Sequence, residues 1–394
     1  MSDATTAVIV SAVRTPIGRY LGGLASFTAP QLGALVIREA VARAGVESSL
    51  VDEVIMGQVV QGGSGQAPAR QALIHAGIPA TTSAITINEV CGSGLRAVML
   101  AAQAVRAGDR QCVVAGGQES MSNAPYYVYG MRSGIKAGNQ TMVDAMIHDG
   151  LWDSFGANHM GEYAEYTAEK AAVSRQDQDA FASESHRKAV AAIASGKFSA
   201  EILPVTASGK DGTTVSDDEA PRKDTTADTL AKLKPAFRKD GSVTAGNAPG
   251  LNDGASALVV TSLAFARAHG LTPMARVTAS ATGGGDPRDL FFAPIVAVRA
   301  LMARAGTSIG DYDLIEANEA FAVQALADGR ELGWDWNRVN VNGGAVALGH
   351  PIGASGARVL TTLLYALRER KGRTGLATLC LGGGNAVALS VEML

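Results

Sequence analysis

Cysteine is scarce in this sequence, with three residues in a chain of 394. Three cysteines are too few for a disulfide framework, and an odd number suits a reducing compartment. Residues 1–6 lack the layout of a signal peptide, and no apolar run is long enough to span a bilayer. We therefore expect a cytoplasmic protein with no membrane partner; a mature organellar protein without its targeting peptide is the alternative.

A strong excess of one charge is also absent. The net charge is −3 with both signs mixed, so no binding of nucleic acid is predicted. No metal site is predicted, because His159 and His350 have no Cys or His at ligand spacing and the carboxylates of residues 217–219 look solvated. The glycine run at residues 62–65 lacks a Walker lysine and a dinucleotide fingerprint. We expect no separate cofactor.

Apolar residues, by contrast, make up 47% of the chain, enough for a large core and more than one domain. Short apolar runs alternate with amphipathic stretches, which predicts an α/β fold with helices layered on a sheet. The predicted strands are residues 7–12, 54–60, 84–88, 112–115, 376–379 and 386–391. The predicted helices are residues 30–44, 67–76, 94–107 and 174–196.

A short repeat indicates that the fold is duplicated. Ala-Arg-Ala-Gly ends a predicted helix at residues 42–45 and again at residues 303–306, and an apolar strand follows each copy. At nearly the same spacing after the two copies come Cys91 and His350, each in a glycine-rich turn before a helix. Chance similarity of alanine-rich helix ends is the alternative, but the matched spacing favours duplication.

The stretch between the two repeats differs in composition. Residues 121–245 are richer in polar residues, with a polar run at residues 208–229, and are predicted to form an inserted loop or cap domain. This division leaves an N-terminal half and a C-terminal half, which comprise residues 1–120 with 246–270 and residues 271–394.

Cys91 is the first candidate for chemistry. It lies in Asn-Glu-Val-Cys-Gly-Ser-Gly (residues 88–94), at a predicted strand-to-helix turn. The N–H groups at a helix N-terminus stabilise a thiolate, so we expect this turn to lower the pKa of Cys91 and make it a nucleophile. A buried and inert cysteine is the alternative, and Cys112, inside an apolar strand, fits that alternative.

Three further residues carry weaker signals. A neutral His350 can take a thiol proton and can donate a hydrogen bond to an oxyanion. Cys380 precedes a Gly-Gly-Gly turn between two predicted strands, where a buried structural cysteine is equally expected. Asn318 is equally well explained as a helix cap.

Together, four segments in this order closely resemble the signature segments of the thiolase family. They are Asn-Glu-Val-Cys-Gly-Ser-Gly (88–94), Asn-Glu-Ala-Phe-Ala (318–322), Gly-His-Pro-Ile-Gly-Ala-Ser-Gly (349–356) and Cys-Leu-Gly-Gly-Gly-Asn (380–385). The resemblance covers essentially the whole chain. It implies two similar halves in five layers, α/β/α/β/α, with a loop domain inserted in the first half. It also implies a homodimer or homotetramer acting in fatty acid metabolism, with acyl-CoA and CoA as substrate and product.

The resemblance also implies roles for the candidate residues. Cys91 would accept the acyl group as a thioester, which predicts ping-pong kinetics. His350 would activate Cys91 and, with a water held by Asn318, bind the thioester oxygen of a second acyl-CoA. Cys380 would remove or return the proton at the α-carbon of acetyl-CoA. The backbone N–H groups of Cys91 and Gly382 would form a second oxyanion hole.

Substrate contacts are implied in the same way, with two departures from the family pattern. Pro249 stands where many relatives have a serine that contacts the pantetheine arm, and proline offers neither hydroxyl nor N–H. Residues 290–294 stand where many short-chain members have Met-Gly-(Thr/Ile)-Gly-Pro, and the two phenylalanines, Phe291 and Phe292, can reshape the pocket. Acetoacetyl-CoA is the first expected substrate, with longer 3-ketoacyl-CoAs as its rival. The matching contact positions are Leu151, His159, Met160, Arg222, Phe237, Ala245, Ala320 and Phe321.

Two other functions compete with a thiolase. A decarboxylating ketoacyl synthase uses the same cysteine-centred double fold but pairs its cysteine with two histidines or with His and Asn, so Cys380 favours the thiolase. A non-catalytic acyl-CoA-binding protein would have lost the chemistry, and the four matching catalytic residues argue against it.

Overall fold

The computed structural model describes residues 2–207 and 212–394, so residues 208–211 of the predicted polar run lie outside the described residues. The strands are β1 (Ala7–Arg14), β2 (Gly18–Arg19), β3 (Glu53–Gly57), β4 (Ser83–Ile87), β5 (Cys112–Ser120), β6 (Tyr126–Tyr127), β7 (Val143–Asp144), β8 (Trp152–Asp153), β9 (Asn158–His159), β10 (Val205–Thr206), β11 (Thr214–Val215), β12 (Asn252–Ser262), β13 (Ala275–Gly284), β14 (Leu314–Ala317), β15 (Thr374–Leu381) and β16 (Asn385–Met393).

The helices alternate with these strands in most of the chain. They are α1 (Ala29–Ala44), α2 (Pro68–Ala76), α3 (Ser93–Ala107), α4 (Ala145–Gly150), α5 (Met160–Lys170), α6 (Arg175–Ala194), α7 (Ala227–Ala231), α8 (Leu263–Ala268), α9 (Ala293–Ala305), α10 (Ala322–Leu332), α11 (Ala345–Leu348) and α12 (Ile352–Arg370). In the described part of the chain, none of these helices combines the length and apolar character needed to cross a membrane.

Most of the longer strands join in one continuous sheet, in the order β14-β15-β16-β13-β1-β12-β5-β3-β4, with β2 beside β12. The centre of the sheet is a short antiparallel contact in which Val8 and Ile9 of β1 pair with Arg276 and Ala275 of β13. On both sides of this contact the next two pairings are antiparallel and the third is parallel. The two halves therefore have the same topology.

The helix ends that carry the repeat also agree. Gly45 and Gly306 follow α1 and α9 with φ of 69° and 67°, the left-handed conformation that ends helices and favours glycine. A short 3₁₀ turn and then a parallel strand, β3 or β14, follows each of them. The arrangement of helices and strands therefore confirms the duplication that the sequence repeat predicted.

The layers are built around two central helices. Helices α3 and α12 pack against each other and lie between the two halves of the sheet, while α1 and α2 cover one outer face and α9 covers the other. Side chains of a strand alternate between its two faces. Accordingly Ile9 packs in the central cluster, whereas Val8 and Val10 pack on the outer side with α1. This is the predicted five-layered α/β fold.

Strand β5 extends beyond the predicted residues 112–115, because the glycine pair that follows them continues the strand. A Cβ on Gly116 would lie 2.1 Å from the carbonyl oxygen of Ser256, and one on Gly117 would lie 2.1 Å from that of Gly353. Both glycines allow the backbone of β5 to approach its neighbours closely. The pair looks like the end of a strand in the sequence but lies in the middle of one.

The chain leaves the sheet after β5 and returns to it as β12. Within this excursion, α6 begins after Ser174, whose hydroxyl accepts a hydrogen bond from the N–H of Asp177 at 3.1 Å. The helix predicted over residues 174–196 is therefore confirmed, with a side-chain cap at its start.

The prediction that the carboxylates of residues 217–219 are solvated is wrong for Asp218, whereas Asp217 is exposed as predicted. The side chain of Asp218 is fully buried, and it accepts hydrogen bonds from the Arg14 guanidinium at 2.6 Å and 2.9 Å and from the N–H of Ile17 at 2.8 Å. Glu201 is the second buried partner of Arg14, at 2.6 Å. These contacts attach the inserted segment to the end of β1.

Candidate active site

Cys91 lies in the turn between β4 and α3. Val90, immediately before it, has φ of 48°, which is rare for a β-branched residue. Ser93 holds this conformation, because its hydroxyl accepts from the N–H of Glu89 at 2.9 Å and donates to the carbonyl of Val90 at 2.7 Å. The turn places Cys91 at the start of α3, as predicted, and facing a cavity.

The pKa of Cys91 differs from the expected one. Burial raises the pKa of the Cys91 thiol to about 12, and the negative field of Glu119 adds to this; the backbone N–H groups of Cys91 and Gly382 act in the opposite direction. The loss of water thus outweighs the turn's N–H groups. A thiolate at Cys91 therefore requires a base beside it.

His350 faces the same cavity from the turn between α11 and α12. The Ser355 hydroxyl donates to the carbonyl of Pro351 at 2.9 Å, so His350 Nδ1, 2.6 Å from that hydroxyl, acts as the donor and Nε2 is left as an acceptor. Burial, helped by the positive charge of Arg358, lowers the pKa of His350 to about 3. The imidazole is therefore neutral at physiological pH and can accept a proton at Nε2.

Asn318 stands behind His350 rather than on the cavity wall. Its Nδ2 lies 3.4 Å from His350 Nε2, and its N–H donates to the carbonyl of Thr378 at 3.0 Å. The Asn318 Oδ1 is buried and has no partner among the residues that the structure describes. Buried amide oxygens are normally hydrogen-bonded, and an ordered water is a common partner.

Cys380 lies near the end of β15, directly before the hairpin turn to β16. The turn uses Gly383 and Gly384, whose φ values of 81° and 87° are left-handed. Burial raises the pKa of the Cys380 thiol, and the nearby Cys91 and Asp328 raise it further. The predicted strand–turn–strand is confirmed, and the turn brings Gly382 to the cavity as well.

The cavity that these groups share has a volume of about 270 Å³. Its walls are mainly apolar, with the two thiols and the imidazoles of His159 and His350 as polar groups, a pattern typical of ligand sites. Of the residues predicted from the sequence it is lined by Cys91, Leu151, His159, Met160, Phe237, Pro249, Ala320, Phe321, His350, Cys380 and Gly382.

Two predicted contact residues do not line this cavity. Arg222 lies apart from it, with its N–H 3.2 Å and its Nη2 3.1 Å from the two ring nitrogens of His186 and its Nε donating to Thr225. Ala245 lies exposed in a loop.

Several cavity residues were missed in the sequence. Val90 and Ile352 lie within family segments, so their place in those segments was an available signal. Ile147 in the inserted segment and Leu251 just before β12 have no such signal, because they reach the cavity only through the folding of the chain.

Comparisons with known proteins identify the family of this chain. The description "Thiolase, N-terminal domain" matches residues 7–264, and "Thiolase, C-terminal domain" matches residues 271–393. The chain belongs to the thiolase family. Acetyl-CoA acetyltransferases of Pseudomonas aeruginosa and Paracoccus denitrificans are 55% and 54% identical to it, over 98% of this chain and 98% and 99% of theirs. The crystal structure of the Bacillus anthracis acetyl-CoA acetyltransferase matches with a TM-score of 0.98 and 44% identity, covering 100% of both chains.

The residues that depart from the family pattern, Pro249, Phe291 and Phe292, do not all reach the cavity. Pro249 and Phe291 both line the cavity. Phe292 does not, because its half-buried ring lies under the Lys170 ammonium, 5.0 Å from the ring centre. Only one of the two phenylalanines therefore shapes the pocket.

Proposed function

We propose that this thiolase is an acetyl-CoA acetyltransferase, which condenses two acetyl-CoA molecules or cleaves short-chain 3-ketoacyl-CoA with CoA. The observation that carries the proposal is the placing of two thiols, Cys91 and Cys380, on one apolar cavity with the neutral imidazole of His350. Relatives more than half identical over nearly their full length, named acetyl-CoA acetyltransferase, support the same activity.

In the proposed first step, Cys91 becomes acylated. His350 Nε2 takes the thiol proton and the sulfur attacks the thioester carbon, so that the sulfur–acyl bond forms as the bond to CoA breaks. The backbone N–H groups of Cys91 and Gly382 stabilise the negative charge on the oxygen. The departing CoA sulfur takes its proton from Cys380, which leaves that residue as a thiolate.

In the proposed second step, Cys380 acts as the base. Its raised pKa makes its thiolate strong enough to remove a proton from the α-carbon of a second acetyl-CoA. His350 and a water on the free Oδ1 of Asn318 hold the enolate oxygen. The enolate carbon bonds to the acyl carbon, and Cys91 leaves, regaining its proton from His350.

Several finer assignments accompany this proposal. We propose that CoA is substrate and product with no metal or separate cofactor, and that the protein is a cytoplasmic homodimer or homotetramer of fatty acid metabolism. We retain the division into residues 1–120 with 246–270, residues 121–245 and residues 271–394. Arg222 and Ala245 remain proposed contacts for the outer part of CoA.

Thiolysis of acetoacetyl-CoA by free CoA, followed as loss of the enolate absorbance, tests the proposal. Wild type and Cys112→Ala should turn over, because Cys112 is buried in β5 away from the cavity, whereas Cys91→Ala should not. Acetyl-CoA alone should leave an acetyl mass on the peptide that contains Cys91. Normal turnover in Cys91→Ala, or malonyl-CoA decarboxylation without thiolysis, would reject the proposal.

A further inference from the structure

The cavity has an open end and a buried end. At the open end, Pro249 and Leu251 are partly exposed and Gly250 is exposed. At the buried end, Leu290, Phe291 and Cys380 are 1%, 2% and 1% exposed, and we call Leu290 and Phe291 the floor of the cavity. A ligand that enters past Pro249 therefore moves from partly exposed lining residues towards buried ones.

A row of aromatic rings connects the two ends. The imidazole of His159 stacks on Phe237 with 4.9 Å between ring centres, and Phe237 meets Phe321 edge to face at 6.3 Å. Phe321 then meets Phe291 edge to face at 5.3 Å. Phe291 is the last and most buried ring of this row, and it packs in the same cluster as Cys380.

The backbone behind Phe291 is held in place. Residues Pro287–Phe292 form a 3₁₀ turn that begins at Asp286, whose carboxylate accepts from the N–H of Arg288 at 2.9 Å. Asp289 in this turn accepts from the hydroxyl of Tyr166 at 3.1 Å and from Lys170 at 2.6 Å. Both partners lie on α5, the helix that also supplies Met160 to the cavity.

The contacts of Phe291 and its turn determine whether the floor of the cavity can make room for a longer acyl chain. The ring of Phe291 can yield space only by disrupting its contact with Phe321 or by pulling the turn away from α5. Protein interiors are densely packed, and forcing extra methylene groups into such a site is costly. Replacing the ring by a methyl group would instead leave a cavity where the acyl chain can extend.

We propose that Phe291 is the residue that limits acyl-chain length, by closing the buried end of the cavity. This inference rests on the proposed thiolase activity. In this proposal the methyl end of acetoacetyl-CoA fits before the ring of Phe291, whereas the longer propyl end of 3-ketohexanoyl-CoA meets it. Phe292 offers the matched control, because it is the neighbouring residue of the same type but points to Lys170 outside the cavity.

The test is the ratio of kcat/KM for thiolysis of 3-ketohexanoyl-CoA to that of acetoacetyl-CoA. Phe291→Ala should raise this ratio by about 10-fold or more, since one or a few methylene groups in an apolar pocket discriminate by that order. Phe291→Leu, which keeps more of the packing, should raise it less. Phe292→Ala should leave it unchanged.

The failures of the two proposals are distinguishable. Wild type that turns over neither substrate sinks the thiolase assignment itself. Wild type that is active on acetoacetyl-CoA, with the ratio unchanged in folded Phe291→Leu and Phe291→Ala, overturns the chain-length role alone. A wild type that already prefers 3-ketohexanoyl-CoA, or an equal gain in Phe292→Ala, overturns it as well.

Discussion

The turn that carries Cys91 and the turn that carries His350 occupy equivalent places in the two halves but are held differently. Before Cys91, the strained Val90 is held by Ser93, three residues away in the same turn. Before His350, Gly349 has φ of 105°, and the N–H of His350 donates at 2.8 Å to Asn252, which belongs to β12 in the first half of the sheet. Cys91 is thus positioned locally, whereas the position of His350 depends on the packing of one half against the other.

The largest expected effect comes from removing the base. His350→Ala should lower kcat by about 10³-fold, because a Cys91 thiol with a pKa of about 12 then has no proton acceptor. It should also slow alkylation of Cys91 by iodoacetamide, measured by mass spectrometry of the Cys91 peptide. Ser355→Ala keeps the imidazole but removes its 2.6 Å partner, so both losses should be smaller. Unchanged alkylation in His350→Ala would show that Cys91 ionises without help.

The next effect tests how the second turn is held. A Cβ at residue 349 would lie 2.5 Å from the side chain of Asn252, and the φ of 105° disfavours any side chain. Gly349→Ala should therefore destabilise the fold by about 3 kcal/mol and displace His350. Urea unfolding measures the first effect and thiolysis the second. Gly45→Ala, where the φ of 69° is also left-handed but the space is open, serves as the control and should cost less.

A pH-dependent loss of stability should accompany the buried base. The pKa of His350 is about 3 in the folded state and ordinarily 6.5, so below pH 6.5 the unfolded chain binds a proton that the folded chain does not. Stability should therefore fall as pH drops from 6.5 towards 3, by about 2 kcal/mol at pH 5 from this group. His350→Gln should lose less Tm between pH 7 and pH 5 than wild type. An equal loss in both proteins would contradict the assignment.

The smallest expected effect concerns the first turn. Val90→Gly replaces a β-branched residue at φ of 48° by the residue that tolerates this conformation. The strain relieved should offset the added freedom of the unfolded chain and the lost side-chain contacts. The free energy of unfolding measured in urea should then change by no more than about 1 kcal/mol. A loss above about 2 kcal/mol would mean that packing of the Val90 side chain in the cavity wall outweighs its strain.

The sequence predicted most of the site because its residues lie in short segments with distinctive neighbours. Cys91, His350 and Cys380 each sit beside glycines that make a turn, and turns are encoded locally. The pKa of Cys91 was predicted in the wrong direction, because a helix start can be read from adjacent residues whereas burial is created by residues far along the chain. Asp218 was placed in solvent for the same reason, since its partner Arg14 is distant in sequence.

By itself, then, the sequence determined the α/β alternation, the duplication and the candidate reactive residues, all of which depend on patterns within a few residues or on a repeated spacing. Only the tertiary structure decided that the halves share one sheet through β1 and β13, that Phe291 lines the cavity while Phe292 faces Lys170, and that His350 is neutral. Adjacent residues can point into different environments, and exclusion of water arises from many segments packing together. Neither the direction of a side chain nor its burial can therefore be predicted from the adjacent residues alone.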